Sequence, residues 1–184
     1  MRALTGGLMR IEVENLTEKA EPFSHAYAPE EVELDDEGAR LVAPAEVEAS
    51  ASRKGEEVRL RGTIKTEVEL LCDRCAAPTR TPLEVEFDTS FIPQAVAAGA
   101  EENVELLPED LVVAAFEGDA VDVAELVREQ ILLALPSRRL HSEDCKGLCQ
   151  KCGADLNAGP CSCGQSESDP RWAALAGWKD KTGE

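Results

Sequence analysis

The chain has 184 residues, with 37 acidic side chains against 19 lysines and arginines and a formal net charge of −18. That balance excludes broad adhesion to nucleic acid. No apolar run is long enough to span a bilayer, and the N-terminus lacks the charged-then-apolar pattern of a secretory signal, so a cytoplasmic protein without a membrane anchor is expected. Met9, followed by Arg-Ile-Glu-Val, reads as a start with residues 1–8 as an upstream extension. The length fits a β-rich core with closing helix over residues 9–136 and a small cysteine-rich appendage with a short helix over 137–184.

In chain order, Ile11, Val13 and Leu16 predict a first strand. Residues 17–38 are rich in Glu, Asp and Pro and read as an acidic connection. Leu41–Ser50 alternates weakly. Val58, Leu60, Ile64, Val68 and Leu70 share one parity, with Arg59, Arg61, Lys65, Glu67 and Glu69 on the other, which predicts a half-buried strand. A bend or bulge is expected near Gly62. Leu83, Val85, Phe87, Thr89 and Phe91 alternate again. These two strands should form an antiparallel hairpin with Cys72-Asp-Arg-Cys75 at its tip. Residues 93–121 read as a long surface loop with a short strand near Glu117.

A helix follows. Asp122 and Glu125 form a D-x-x-E capping pattern; Val123, Leu126, Val127, Ile131, Ala134 and Leu135 fall on one face; Pro136 ends the run. Ser168-Asp169-Pro170-Arg171 predicts a last short helix bearing Trp172, Leu175 and Trp178, for which core packing is favoured over base stacking. The fold class is therefore α+β: an antiparallel sheet or partial β-barrel with a C-terminal helix and a zinc-knuckle-like segment.

Five of the seven cysteines lie in CKGLCQKCGADLNAGPCSC. An odd count in a chain long enough to bury a core argues against a disulfide framework. Cys145, Cys149 and Cys152 have a C-x3-C-x2-C spacing seen in iron–sulfur enzymes, but that motif normally opens a large α/β barrel, and little more than thirty residues follow here. Two close pairs joined by a Gly/Asn/Pro loop suit a tetrahedral four-thiolate zinc site, with Cys149, Cys152, Cys161 and Cys163 as the first-choice ligands. Cys145 is then extra, unless it displaces Cys163. A second site from Cys72, Cys75 and Cys145, with His141 as a marginal fourth ligand, is the less favoured possibility. One structural zinc is expected.

The cysteines, the helix and the tail together resemble the YceD family of large ribosomal RNA subunit accumulation proteins. Cys72-Asp-Arg-Cys75 matches its C-x-R-C element. Asp122–Pro136 matches a D-x6-E-x-I-x-L-x-L-P helix through Glu129, Ile131, Leu133, Leu135 and Pro136. Cys145-Lys-Gly-Leu-Cys149, Cys152-Gly153, Asp155-Leu156-Asn157 and Asp169-Pro170-Arg171 follow. The resemblance implies a role in accumulation or processing of 23S rRNA, with large-subunit rRNA or a pre-ribosomal particle as partner. Members are often encoded beside a large-subunit ribosomal protein, and no catalytic residue is established. Some members keep the C-x-R-C pair but lack most of the C-terminal cysteines, which implies that the five-cysteine cluster is dispensable to the shared role.

Charge is unevenly spread. Residues 81–135 carry 13 acidic side chains and 1 basic one, whereas residues 53–80 carry 7 basic and 5 acidic. Arg59, Arg61, Lys65 and Arg74 are the candidate RNA-phosphate contacts, weighed equally against an ordinary solvated strand face. Arg138 and Arg139 form a second basic point. The competing function is a zinc-stabilised adaptor holding a basic ribosomal protein through segment 81–135. His25 and His141 sit in no nucleophile-plus-base pattern and read as surface residues, and no phosphate-binding glycine loop is present, so no enzyme is expected.

Overall fold

The computed structural model describes residues 9–98, 113–163 and 171. Two long strands form its spine: β5, Glu57–Leu71, and β6, Pro78–Pro93, paired antiparallel from Val58↔Phe91 to Leu71↔Pro78. Alternation along β5 puts Val58, Leu60, Ile64, Val68 and Leu70 in the core and Arg59, Arg61 and Lys65 in solvent. β4, Ala45–Lys54, flanks β5 through a tight turn in which Gly55 takes a φ of 63°. β2, Glu21–Tyr27, pairs with the far side of β4, and the short β3, Ala39–Leu41, continues along β5 at Leu70–Val68. β7, Val113–Phe116, lies parallel to β6 at the other edge, after a short helix α1, Gln94–Ala98. The sheet is thus six-stranded, open, and antiparallel except at β7.

A second, two-stranded sheet joins β1, Arg10–Glu12, to β8, Ala120–Asp122. Asp122 ends β8 and opens α2, Val123–Ala134. Its carboxylate accepts hydrogen bonds from the N–H groups of Ala124 and Glu125, satisfying donors that the first turn leaves orphaned. Val123, Leu126, Val127 and Ile131 bury their side chains with Tyr27, Val58, Ile64, Phe87 and Phe91 in one core. Each such side chain contributes about 1.5–3 kcal/mol when fully buried. The chain turns away at Pro136 and descends toward the tip of the β5–β6 hairpin.

Two expectations need correction. Residues 17–38 are not merely a connection, because β2 lies within them. Phe23, His25 and Tyr27 alternate toward the core, and an edge strand tolerates Pro22, whose missing N–H leaves no interior ladder position unfilled. Gly62 makes no bulge, since β4, β5 and β6 stay in register through it. It is glycine because a Cβ there would sit 2.4 Å from the Ala49 Cβ and the Glu48 carbonyl oxygen. The strand expected near Glu117 is β7, which ends at Phe116 and pairs in parallel. The last predicted helix, with Trp172 and Trp178, lies outside the described residues.

Candidate metal centres

Two clusters of metal-ligating side chains stand at the hairpin end. In the first, the ligand atoms of Cys72, Cys75, His141 and Cys145 lie within 4.8 Å of one another. In the second, those of Cys149, Cys152, Cys161 and Cys163 do the same. Each could hold a metal ion. Cys145 therefore groups with the hairpin pair instead of standing as a surplus ligand of the C-terminal set.

The same local turn builds both clusters. At Cys72 the carbonyl accepts from the Ala76 N–H at 2.8 Å, and the Cys72 N–H donates to the Ala77 carbonyl at 2.9 Å. At Cys149 the carbonyl accepts from the Gly153 N–H at 2.8 Å, and the Cys149 N–H donates to the Ala154 carbonyl at 2.8 Å. Ala76 and Gly153 both take positive φ, 56° and 71°. This curl brings the i and i+3 thiols of each knuckle to one side. The first knuckle closes the β5–β6 hairpin; the second is enclosed by the isolated bridge Leu148↔Asp155.

Polar contacts dock the segment after α2 onto the hairpin tip. The Asp73 N–H donates to the Arg139 carbonyl, and the Arg139 N–H donates to the Asp73 carboxylate at 2.7 Å. Arg74 donates to the Cys145 carbonyl at 2.5 Å and to that of Glu143 at 3.3 Å, while the Leu148 N–H donates to the Arg74 carbonyl. Gly147, at φ 75°, lets this approach happen, since a Cβ there would meet the Arg74 carbonyl oxygen at 3.0 Å. Cys72 and Cys145 are buried, only 4% and 3% exposed, and their sulfurs are 3.8 Å apart. Cys75 Sγ lies 3.2 Å from His141 Nδ1.

These distances fit a metal centre. Thiolates held tetrahedrally at about 2.3 Å from zinc are about 3.8 Å from one another. A thiol–imidazole contact alone would also describe a nucleophilic pair, but two further thiols crowd this one. Burial pushes the Cys72 thiol up, yet hydrogen bonds from the His141 main chain and ring, and from the main chain of Arg74 and Cys75, outweigh it and hold the group at about 5. The Ala77 main chain favours the Cys75 thiolate, but burial and the Cys145 and Cys72 sulfurs push that thiol up to about 11. In the second cluster the main chains of Cys152 and Lys151 bring Cys149 down to about 6, while the Cys152 sulfur, burial and Cys149 drive Cys163 up to about 12. In each cluster one thiol ionises readily, Cys72 or Cys149, and one resists ionising beside it, Cys75 or Cys163. A divalent cation cancels that repulsion.

The basic strand face is differently placed than its composition implies. Arg59 donates two hydrogen bonds to Asp88 at 2.7 and 2.8 Å; Arg61 is 3.9 Å from the same carboxylate; Lys65 pairs with Glu84 at 3.1 Å. Asp88 and Glu84 come from β6, directly across the ladder. Arg74 is held by carbonyls, and Arg139 by Asp36 at 2.5 Å. Arg138, Lys146 and Lys151 are exposed and make no ion pair among the described residues.

His141 and Asn157 are the residues that sequence reasoning undervalued. The four-residue spacing from His141 to Cys145 was the available signal for the first. For Asn157 the signal was its place in the Asp155-Leu156-Asn157 element of the resemblance, but its contact with Cys145 is visible only in the folded chain.

An α+β sheet protein with two cysteine clusters at one end is the class that the fold and site define. The model of the family described as large ribosomal RNA subunit accumulation protein YceD matches residues 60–179, and the chain belongs to that family. It is 25% identical over 158 residues to the chloroplastic "large ribosomal RNA subunit accumulation protein YCED homolog 1" of Arabidopsis thaliana, covering 75% of this chain and 49% of that one. Its maize counterpart is 28% identical over 152 residues, 71% and 52% of the two chains. "Uncharacterized protein YlbN" of Bacillus subtilis is 28% identical over 137 residues, 74% of each. The chain thus spans about half the length of the plant relatives. No solved structure matches it. No helix among the described residues is long and apolar enough to cross a membrane.

Proposed function

We propose that this chain is a non-enzymatic assembly factor that supports accumulation of large-subunit (23S) rRNA by binding that rRNA or a pre-ribosomal particle, with two structural zinc ions organising its binding end. The carrying observation is the pair of clusters, each with four ligand atoms within 4.8 Å of one another, in a chain of this family. Zinc fits because the donors are soft thiolates with one imidazole in a compact, closed arrangement, and such ions contribute folding energy outright. Cys72, Cys75, His141 and Cys145 would hold one, and Cys149, Cys152, Cys161 and Cys163 the other. The name carried by the plant relatives supports the rRNA role.

We assign the phosphate contacts to Arg138, Lys146 and Lys151 in preference to the strand face. Phosphate would have to displace Asp88 and Glu84 from Arg59, Arg61 and Lys65. The thiolate-rich sites themselves are formally negative even with zinc, so the contact is local, made by these side chains and not by a broad field.

The test is complementation of cells lacking the gene, with crosslinking of RNA to the protein. Replacing Arg138, Lys146 and Lys151 with Gln should reduce crosslinked large-subunit rRNA and lower mature 23S rRNA. In vitro, removing each phosphate-binding cation should flatten the salt dependence by roughly 0.7–0.9 log units of slope. A triple variant with undiminished crosslinking, beside an Arg59/Arg61/Lys65→Gln protein that loses it, would return phosphate binding to the strand face. Normal rRNA in cells lacking the gene would remove the function altogether.

A further inference from the structure

The helix motif residues divide sharply by what the fold needs from them. Asp122 caps α2 and Ile131 is fully buried. Glu129 and Leu133 do neither. Glu129 is exposed and makes no ion pair among the described residues, and Leu133 is 73% exposed. Together with Glu125 they lie at i, i+4 and i+8, one line along the outer face of α2. Two like charges at that spacing weaken a helix, so the stripe is not there for helix stability. Arg128, the basic residue of this stretch, pairs instead with Asp35.

The stripe continues into a groove of about 400 Å³ between β7 and the β8–α2 corner. It is lined by Glu117, Glu125 and Glu129 together with Phe91, Phe116 and Leu126, each of which keeps no more than 8% exposure. Arg10 also lines it, opposite Asp122 in the β1–β8 ladder. Among the described residues, β7 pairs with β6 on one side only, so its other edge has no ladder partner.

We infer that this groove and the Glu125–Glu129–Leu133 stripe dock an extended lysine- or arginine-rich segment of a protein partner. Its apolar side chains would cover Leu133, and its cations would meet the glutamates. Charge complementarity selects the occupant: RNA phosphate is repelled by these glutamates, and a second copy of the chain would bring the same acids against them. The inference rests on the assembly-factor reading and names a protein surface for it, in a groove that none of the cluster cysteines lines.

The test uses the full-length, metal-loaded chain and a fluorescent twelve-residue peptide of alternating lysine and alanine with one central leucine, at low salt. Glu125→Gln/Glu129→Gln should weaken binding about tenfold, with the effect shrinking as salt screens it. Leu133→Ser should weaken it as well, at unchanged helix content by circular dichroism. Glu46→Gln/Glu48→Gln, which removes two exposed acids from β4, should leave it unchanged. Equal weakening by the β4 variant would mean non-specific charge attraction and overturn the proposal. Poly(U) RNA binding that depends on Glu129 would also overturn it. So would failure of the wild-type chain to bind the peptide while Leu133→Ser exposes residues 164–184 to limited proteolysis, because the chain's own tail would then be the occupant. None of these readouts involves cellular rRNA, so a failure here leaves the rRNA role to its own test.

Discussion

Ala76 occupies in the hairpin knuckle the position that Gly153 occupies in the C-terminal one. Both N–H groups bond to the carbonyl of the cysteine four residues earlier, and both sit at positive φ, 56° and 71°. Left-handed backbone costs an alanine roughly 1–2 kcal/mol, and glycine escapes that cost while losing more entropy on folding. Ala76→Gly should therefore stabilise the chain slightly, by about 0.5 kcal/mol, in urea unfolding of the metal-loaded protein. Gly153→Ala should cost about 1 kcal/mol and no more, because a Cβ there meets nothing within 4 Å. A much larger destabilisation at Gly153 would show that the two knuckles are not equivalent.

Asn157 ties the clusters together. Its side-chain Nδ2 lies 3.6 Å from Cys145 Sγ and donates to Asp155 at 2.7 Å, and its side-chain Oδ1 accepts from the Lys146 N–H at 2.8 Å. Elemental analysis after purification under reducing conditions should give about two zinc ions per chain, one for each tetrahedral site. Cys149→Ser/Cys152→Ser should leave one. Asn157→Ala should keep both ligand sets but weaken the site that contains Cys145 by about 10–100-fold, the usual effect of removing a hydrogen bond to a metal ligand. Competition with a chromogenic chelator would read this directly; equal weakening of both sites, or none, would refute the assigned role.

Acid should loosen the dock between the β3 entry and the post-helix segment. The Arg139 guanidinium, together with the Gly38 N–H, holds the Asp36 carboxyl at about 2, below its ordinary 3.8. A lowered carboxylate stabilises the fold above its unfolded value, and that contribution fades as pH falls from about 4 through about 2, because the unfolded chain takes up the proton first. Asp36→Asn should cost about 1–2 kcal/mol at neutral pH, as expected for a charge-assisted hydrogen bond. The gap from wild type should close across that acid window in pH-resolved chemical denaturation. A gap that persists at pH 2 would mean that packing, and not ionisation, is responsible.

Local order decides which features were legible. The β5 strand, the Asp122 cap, the α2 face and both cysteine knuckles follow from side-chain spacing within a few residues, since periodicity and turn geometry act over that range. The YceD resemblance was legible for the same reason. β2 was hidden because an edge strand tolerates the Glu and Pro that otherwise read as loop, although Phe23, His25 and Tyr27 carry its alternation. The grouping of the ligands was not available from spacing. Cys72 and Cys145 are separated by 73 positions and meet only because α2 crosses the sheet and returns the chain to the hairpin tip. The charge of the strand face was equally out of reach. Arg59 and Lys65 look unpaired along β5, and only the register with β6 sets Asp88 and Glu84 against them. Spacing encodes the bite of a knuckle and the parity of a strand; which knuckle shares a centre with which histidine, and which cation is already neutralised, are set by contacts between distant segments that only the folded chain brings together.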